Sequence, residues 1–136
     1  MVTYGFEDLK IMNLVEQLSG VTPKDVIFEE MRVTFLIPAD SIARCIGKGG
    51  VVVKKLENLL KKKIRFIEYS TDLKQFIRNV VYPLELQDIV QEDAKITLHA
   101  ANHQMRGLLI GRSAMNLRST EMIVKRHFPI SEIKVA

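Results

Sequence analysis

The sequence contains a single cysteine and only three histidines among 136 residues. Cys45 has no second cysteine with which to close a bridge, and a zinc site draws three or four ligands from clustered Cys, His or carboxylate side chains. Neither a disulfide nor a structural metal is therefore expected to hold the fold. Long apolar runs are also missing. Met1 to Lys10 carries Glu7 and Asp8 and no apolar stretch of signal-peptide length, and no later run approaches the roughly 18 residues of a membrane span. That pattern predicts a cytoplasmic protein that does not engage membranes. What the chain does have is 47% hydrophobic and 26% charged residues, the balance of a folded globular protein rather than a disordered one.

The formal net charge is only +4, but its placement is uneven. From Arg44 to Arg65 eight basic residues (Arg44, Lys48, Lys54, Lys55, Lys61, Lys62, Lys63, Arg65) face Glu57 alone. From Arg106 to Arg126 five (Arg106, Arg112, Arg118, Lys125, Arg126) face Glu121 alone. Segregation of this kind points either to an anionic docking surface, most often for nucleic acid, or to a plain solvated helix face. Lys61-Lys62-Lys63 has the blander reading of cations that end a helix.

The two basic stretches are copies at an offset of 64 positions. Ile46-Gly47-Lys48 returns as Ile110-Gly111-Arg112, Val53-Lys54 as Leu117-Arg118, Glu57 as Glu121, and Leu59-Leu60-Lys61-Lys62 as Ile123-Val124-Lys125-Arg126. A duplicated domain retains such a register after most side chains have drifted.

Local patterns repeat in step. Leu9, Ile11, Met12, Leu14, Val15 and Leu18 have helical spacing, and Ser19-Gly20 with Pro23 ends that helix. Residues 25–30 and 32–37 read as strands, the second alternating Val33, Phe35 and Ile37, with Pro38 as its stop. Asp40 is a plausible N-cap for a short helix to Ile46. After a glycine-rich turn a second helix carries Val53, Leu56, Leu59 and Leu60 inward, and residues 63–69 form a third strand. In the second half Ser70-Thr71-Asp72 offers a cap for a helix with Leu73, Phe76, Ile77, Val80 and Val81 on one face, stopped at Pro83. Strands over 84–90 and 94–100, a short helix over 105–110, a turn over 111–114, a helix over 116–127 and a strand over 131–135 complete the pattern. The chain thus reads as α+β, in two domains, 1–70 and 71–136, each ordered α-β-β-α-α-β with a three-stranded sheet packed against helices.

Ile46-Gly47-Lys48-Gly49-Gly50 lies between two helices inside a strand-helix-helix-strand frame, and I-G-x-x-G in that setting is the signature of a KH domain. The spacing has a mechanism. Glycines let the backbone approach a phosphate without a Cβ in the way, the next helix offers unpaired N–H groups at its positive end, and Lys48 adds a cation. A nucleotide P-loop is excluded because Gly49 stands where its hydroxyl residue would be, and a dinucleotide fingerprint lacks both the third glycine spacing and a parallel βαβ unit. The reading that competes in each loop is a purely structural turn between helices. It weighs more on the second loop, where Ala114 replaces the last glycine and positive φ penalises a Cβ.

No catalytic set emerges. His99, His103 and His127 are scattered and read as surface or capping residues, and Cys45 has no histidine placed to activate it. The protein is expected not to be an enzyme, to need no cofactor and to take no small-molecule substrate. The expected ligand is extended single-stranded RNA. The candidate contacts are Gly47, Lys48, Gly49, Gly50 and Lys54 in the first domain and Gly111, Arg112, Ser113, Asn116 and Arg118 in the second. Ribosomal or ribosome-assembly work on rRNA, and a protein-interaction scaffold without RNA, are the alternatives.

Beyond the KH signature, the chain resembles the archaeal NusA-like transcription factors from about Phe6 onward. The resemblance is carried by the glycine loop, by Ile67-Glu68-Tyr69-Ser70 running into Phe76-Ile77-Arg78-Asn79 and Pro83, and by Lys125-Arg126-His127-Phe128 before Ile130. It implies two tandem type II KH domains and control of transcription elongation, pausing, termination or antitermination through nascent RNA. Contact with RNA polymerase is implied by family analogy alone. Where the family has asparagine after the loop, this sequence has Val52 in the first copy and Asn116 in the second.

Overall fold

The structure is a computed structural model that describes residues 2–136. The chain divides into two compact units, one spanning Thr3–Ser70 and the other spanning Thr71–Ala136. Both are α+β, with one three-stranded sheet each.

In the first unit α1 (Phe6–Ser19) begins where Asp8 Oδ2 accepts the Gly5 N–H at 2.9 Å, and it ends on Gly20, whose φ of 77° lets its N–H close back on Glu16 O. The strands β1 (Asp25–Phe28), β2 (Arg32–Ile37) and β3 (Lys63–Glu68) follow in spatial order β1-β2-β3, antiparallel between β1 and β2 and parallel between β2 and β3. A parallel pair needs a crossover, and α2 (Ile42–Ile46) with α3 (Val51–Leu60) supplies it, so a parallel strand-helix-helix-strand unit is present where none was expected, still without the G-x-G-x-x-G spacing. The core beneath the helices gathers Val15, Val21, Val26, Val33, Phe35, Ile37, Cys45 and Leu56. Truncating Leu56, which is fully buried, would leave a cavity worth about 2–5 kcal/mol.

The structure extends one expectation and overturns two. Val33, Phe35 and Ile37 do face the core, yet Thr34 and Leu36 are buried as well, as befits a central strand covered on both faces. Asp40 does not cap α2; its own φ is 61°, its N–H donates to Glu68 Oε1, and the N-cap position falls to Ser41 without a side-chain bond. Leu59 points to solvent at 60% exposure. The buried seam of α3 runs through Val52, Leu56 and Leu60 at intervals of one turn, which rotates Leu59 away from it.

In the second unit α4 (Leu73–Val81) starts at Asp72, whose carboxylate accepts the Gln75 N–H, and buries Phe76, Ile77, Val80 and Val81. The strands β4 (Leu86–Glu92), β5 (Lys95–Ala100) and β6 (Glu132–Val135) repeat the antiparallel and parallel pairings of the first sheet. Between β5 and β6 run α5 (His103–Ile110), capped by Asn102 on the Met105 N–H at 2.8 Å, and α6 (Met115–Lys125). His127 is not a plain surface residue: its ring sits edge-on to Phe76 at 6.5 Å between centroids. No helix among the described residues is long and apolar enough to cross a membrane.

Candidate nucleic-acid interface

In the first unit α2 stops at Gly47, whose N–H bonds Ala43 O at 3.0 Å while its own backbone swings to φ 81°, ψ 165°. That region of backbone space is essentially reserved for glycine. A Cβ there would also lie 2.7 Å from Val52 Cγ2 and 2.9 Å from Val52 N. Lys48–Gly50 then makes one tight turn, closed by Gly50 N–H donating to Gly47 O at 3.0 Å, with Gly49 and Gly50 both left-handed. The turn consumes the amides of Gly50 and Val51. Those of Lys48 and Gly49 have no acceptor among the described residues.

Two unused amides therefore stand at a surface turn, immediately before a ten-residue helix with no side-chain cap at its N-terminus. The orphan N–H groups and the positive end of the helix dipole favour an anion there. Lys48 is exposed on the turn, and Lys54 folds back over it, with Cε 3.8 Å from where a Cβ on Gly50 would sit. Ile46 and Val51, 40% and 48% exposed, add apolar surface on either side.

The second unit rebuilds the same corner. Gly111 has φ 75°, ψ 175°, its N–H bonds Gly107 O at 2.8 Å, and Ala114 N–H bonds Gly111 O at 3.2 Å. Ser113 and Ala114 hold the left-handed conformations that Gly49 and Gly50 hold in the first loop. The objection that Ala114 would spoil the turn is thereby answered, since the backbone path is kept at the expense of strain. The amides of Arg112 and Ser113 are again without an acceptor among the described residues, and Arg112 and Arg118 are exposed.

Gly47, Lys48, Gly49, Gly50 and Lys54 thus meet at one corner of the first unit; Gly111, Arg112, Ser113 and Asn116 form the matching corner of the second, with Arg118 exposed in the first turn of α6. Asn116 differs from the rest, because its Nδ2 donates to Leu108 O at 2.9 Å. The apolar residue that opens each helix, Val51 and Met115 (55% exposed), escaped the sequence reading. Their shared repeat position was the signal available to find them.

Arg65 belongs elsewhere. It lies on the sheet, with NH2 3.3 Å from Glu29 Oε2 and Nε bonded to Thr34 Oγ1, and the same Glu29 holds Arg32 and accepts a short hydrogen bond from Thr34. Burial lowers the Arg65 pKa to about 10, helped by Arg32 and opposed by Glu29, so the group remains cationic at neutral pH with its charge matched internally. Cys45 is fully buried, its Sγ 3.9 Å from Ser19 Oγ, and burial raises its pKa. Among the described residues no cluster of three or more His, Cys, Asp or Glu side chains could hold a metal ion.

A glycine turn between two helices, inserted between parallel strands of a mixed sheet, defines the KH domain proteins, and the KH domain family matches residues 10–83. Over 133 residues the chain is 33% identical to a protein of Methanocaldococcus jannaschii named "Probable transcription termination protein NusA", covering 95% of this chain and 72% of that one. A protein of the same name from Methanococcus vannielii is 33% identical over 132 residues, covering 95% and 76%. The crystal structure of APE1850 superimposes with a TM-score of 0.83 at 22% identity, over 98% of this chain and all of that one, and so shares its fold. The chain belongs to the archaeal NusA-like family.

Proposed function

We propose that the chain is a single-stranded RNA-binding protein built of two type II KH domains, 1–70 and 71–136, which acts on nascent RNA in transcription elongation, pausing, termination or antitermination and catalyses no reaction. The observation that carries this reading is the recurrence, in both units, of two amides without an acceptor among the described residues, on a glycine-started turn ahead of a helix with no side-chain cap. A phosphodiester chain satisfies such amides at regular intervals, and Lys48, Lys54, Arg112 and Arg118 neutralise it. Exposed Val51 and Met115 offer apolar surface to unstacked bases. Two sites on one chain raise the effective concentration of RNA at the second once the first is filled. The transcriptional role rests on the names of the relatives, and engagement of RNA polymerase on family analogy.

The direct test replaces Lys48 and Gly49 together by aspartate, placing two carboxylates at the proposed phosphate position. Single-stranded RNA affinity should fall tenfold or more, on the order of one lost charge-assisted contact plus repulsion. Unchanged affinity in a folded variant would remove the first turn from the site.

A further inference from the structure

Asn116 and Val52 occupy the same place in the two repeats, the second residue of the helix that follows the turn. Each covers the first glycine of its turn: Asn116 Cγ lies 2.6 Å, and Val52 Cγ2 2.7 Å, from the point where a Cβ on that glycine would be. Only Asn116 makes a bond across the corner. Its Nδ2 donates at 2.9 Å to the carbonyl of Leu108, in the last turn of α5. Carbonyls in a helix's final turn have no partner within the helix. The side chain therefore joins the end of α5 to the start of α6, bracketing Gly111, Arg112, Ser113 and Ala114. The matching carbonyl in the first unit belongs to Arg44, and a valine cannot donate to it.

We infer that Asn116 is a positioning residue for RNA in the second unit: its carboxamide clamps the two helices that bracket the turn and holds the amides of Arg112 and Ser113 ready for phosphate. The need for a clamp is visible in the turn itself. Ser113 and Ala114 sit at φ 53° and 60°, conformations that L residues hold against strain. Without the carboxamide these two residues have reason to relax, and the amides would lose their common aim. The first turn carries glycine at both positions, adopts the same shape at little cost, and manages with valine. One turn is thus shaped by conformational permissiveness and the other by a side-chain tie. Asn116 contributes through the backbone it holds, rather than as a contact to the RNA.

This inference rests on RNA binding by the turns, and the experiment separates the two ideas. In the full chain with the first turn disabled by Lys48→Asp and Gly49→Asp, residual binding of a short single-stranded RNA reports the second turn. Adding Arg112→Asp and Ser113→Asp should abolish it; failure there overturns the functional reading itself. Asn116→Val on the first background should weaken binding about fivefold, the worth of one hydrogen bond, and should speed hydrogen exchange of the Gly111 amide. Binding and exchange both unchanged would overturn the clamp, as would weakened binding with unchanged exchange, which would make Asn116 an RNA contact. A rescue variant guards against simple misfolding. Ser113→Gly with Ala114→Gly, added to the Asn116→Val chain, gives the second turn the glycines that let the first manage with valine and should restore RNA binding; no recovery in a folded variant would refute the mechanism.

Discussion

Ala114 holds the backbone conformation that Gly50 holds in the preceding repeat, φ 60° and ψ 23° against φ 76° and ψ 18°. A methyl group that disfavours the left-handed region is thus kept there by its surroundings. Ala114→Gly should release about 1–2 kcal/mol of strain, less the 0.5–1 kcal/mol that glycine's added freedom costs in the unfolded chain. The expected outcome is a second unit more stable by up to about 1 kcal/mol in urea unfolding. The reverse change, Gly50→Ala, should destabilise the first unit by a similar amount.

Gly47 and Gly49 lie two residues apart and should respond differently to alanine. At Gly47 a methyl meets Val52 Cγ2 at 2.7 Å and the backbone Val52 N at 2.9 Å, in a conformation that glycine alone tolerates. At Gly49 a methyl finds nothing within 4 Å, with only the left-handed φ of 65° against it. Thermal unfolding should therefore place Gly47→Ala roughly 2–3 kcal/mol below the parent and Gly49→Ala about 1 kcal/mol below it. Equal losses would contradict the packing of Val52 over the turn.

Arg65 and Lys48 both belong to the basic stretch, yet only Lys48 is exposed on the turn. Lys48→Ala should reduce the magnitude of the log-log slope of RNA affinity against salt by about 0.7, the signature of one phosphate no longer neutralised on a single strand. Arg65→Ala should leave that slope alone. It should instead lower the stability of the first unit by about 1–3 kcal/mol, because Glu29, largely shielded from solvent, loses a partner.

Cys45 links the first unit's stability to alkaline pH. Desolvation raises its pKa, against the opposing pull of the Ser19 hydrogen bond and Arg44. A thiol whose folded pKa exceeds its unfolded value, about 8.5, contributes stability that is fully present below that value and is lost as pH rises through the folded pKa. Urea unfolding between pH 7 and 10 should show the parent losing stability more steeply than Cys45→Ala, which has no thiol to titrate. Parallel curves would mean that the thiol ionises as easily in the folded protein as in the unfolded one.

Much of the fold is legible in the chain's local patterns. Helical spacing from Leu9 to Leu18, the stops at Gly20 and Pro83, and the capping stretch Ser70-Thr71-Asp72 are signals acting within a few residues, and the elements they predict are present, with Asp72 as the residue that caps. Errors fell where a distant partner decides. Asp40 had the chemistry of a cap, but Glu68, 28 residues away, takes its N–H. Leu59 had the hydrophobicity of a core residue, but only the seat of α3 on the sheet determines which of its apolar faces is buried. In the site, the glycines and the cations that follow them were readable from spacing, whereas the exposure of Val51 and Met115 was not.

The repeat, the order of elements within each copy and the place of the two turns are written into the chain, because they follow from periodicity, capping chemistry and glycine's lack of a Cβ. Packing in three dimensions settles that Arg65 answers to Glu29, that Ser113 and Ala114 accept glycine's conformations, and that Asn116 reaches the Leu108 carbonyl. These outcomes depend on groups brought together by packing, and the packing free energy that holds a residue in an unfavourable backbone state is set by its neighbours in space rather than by those along the chain.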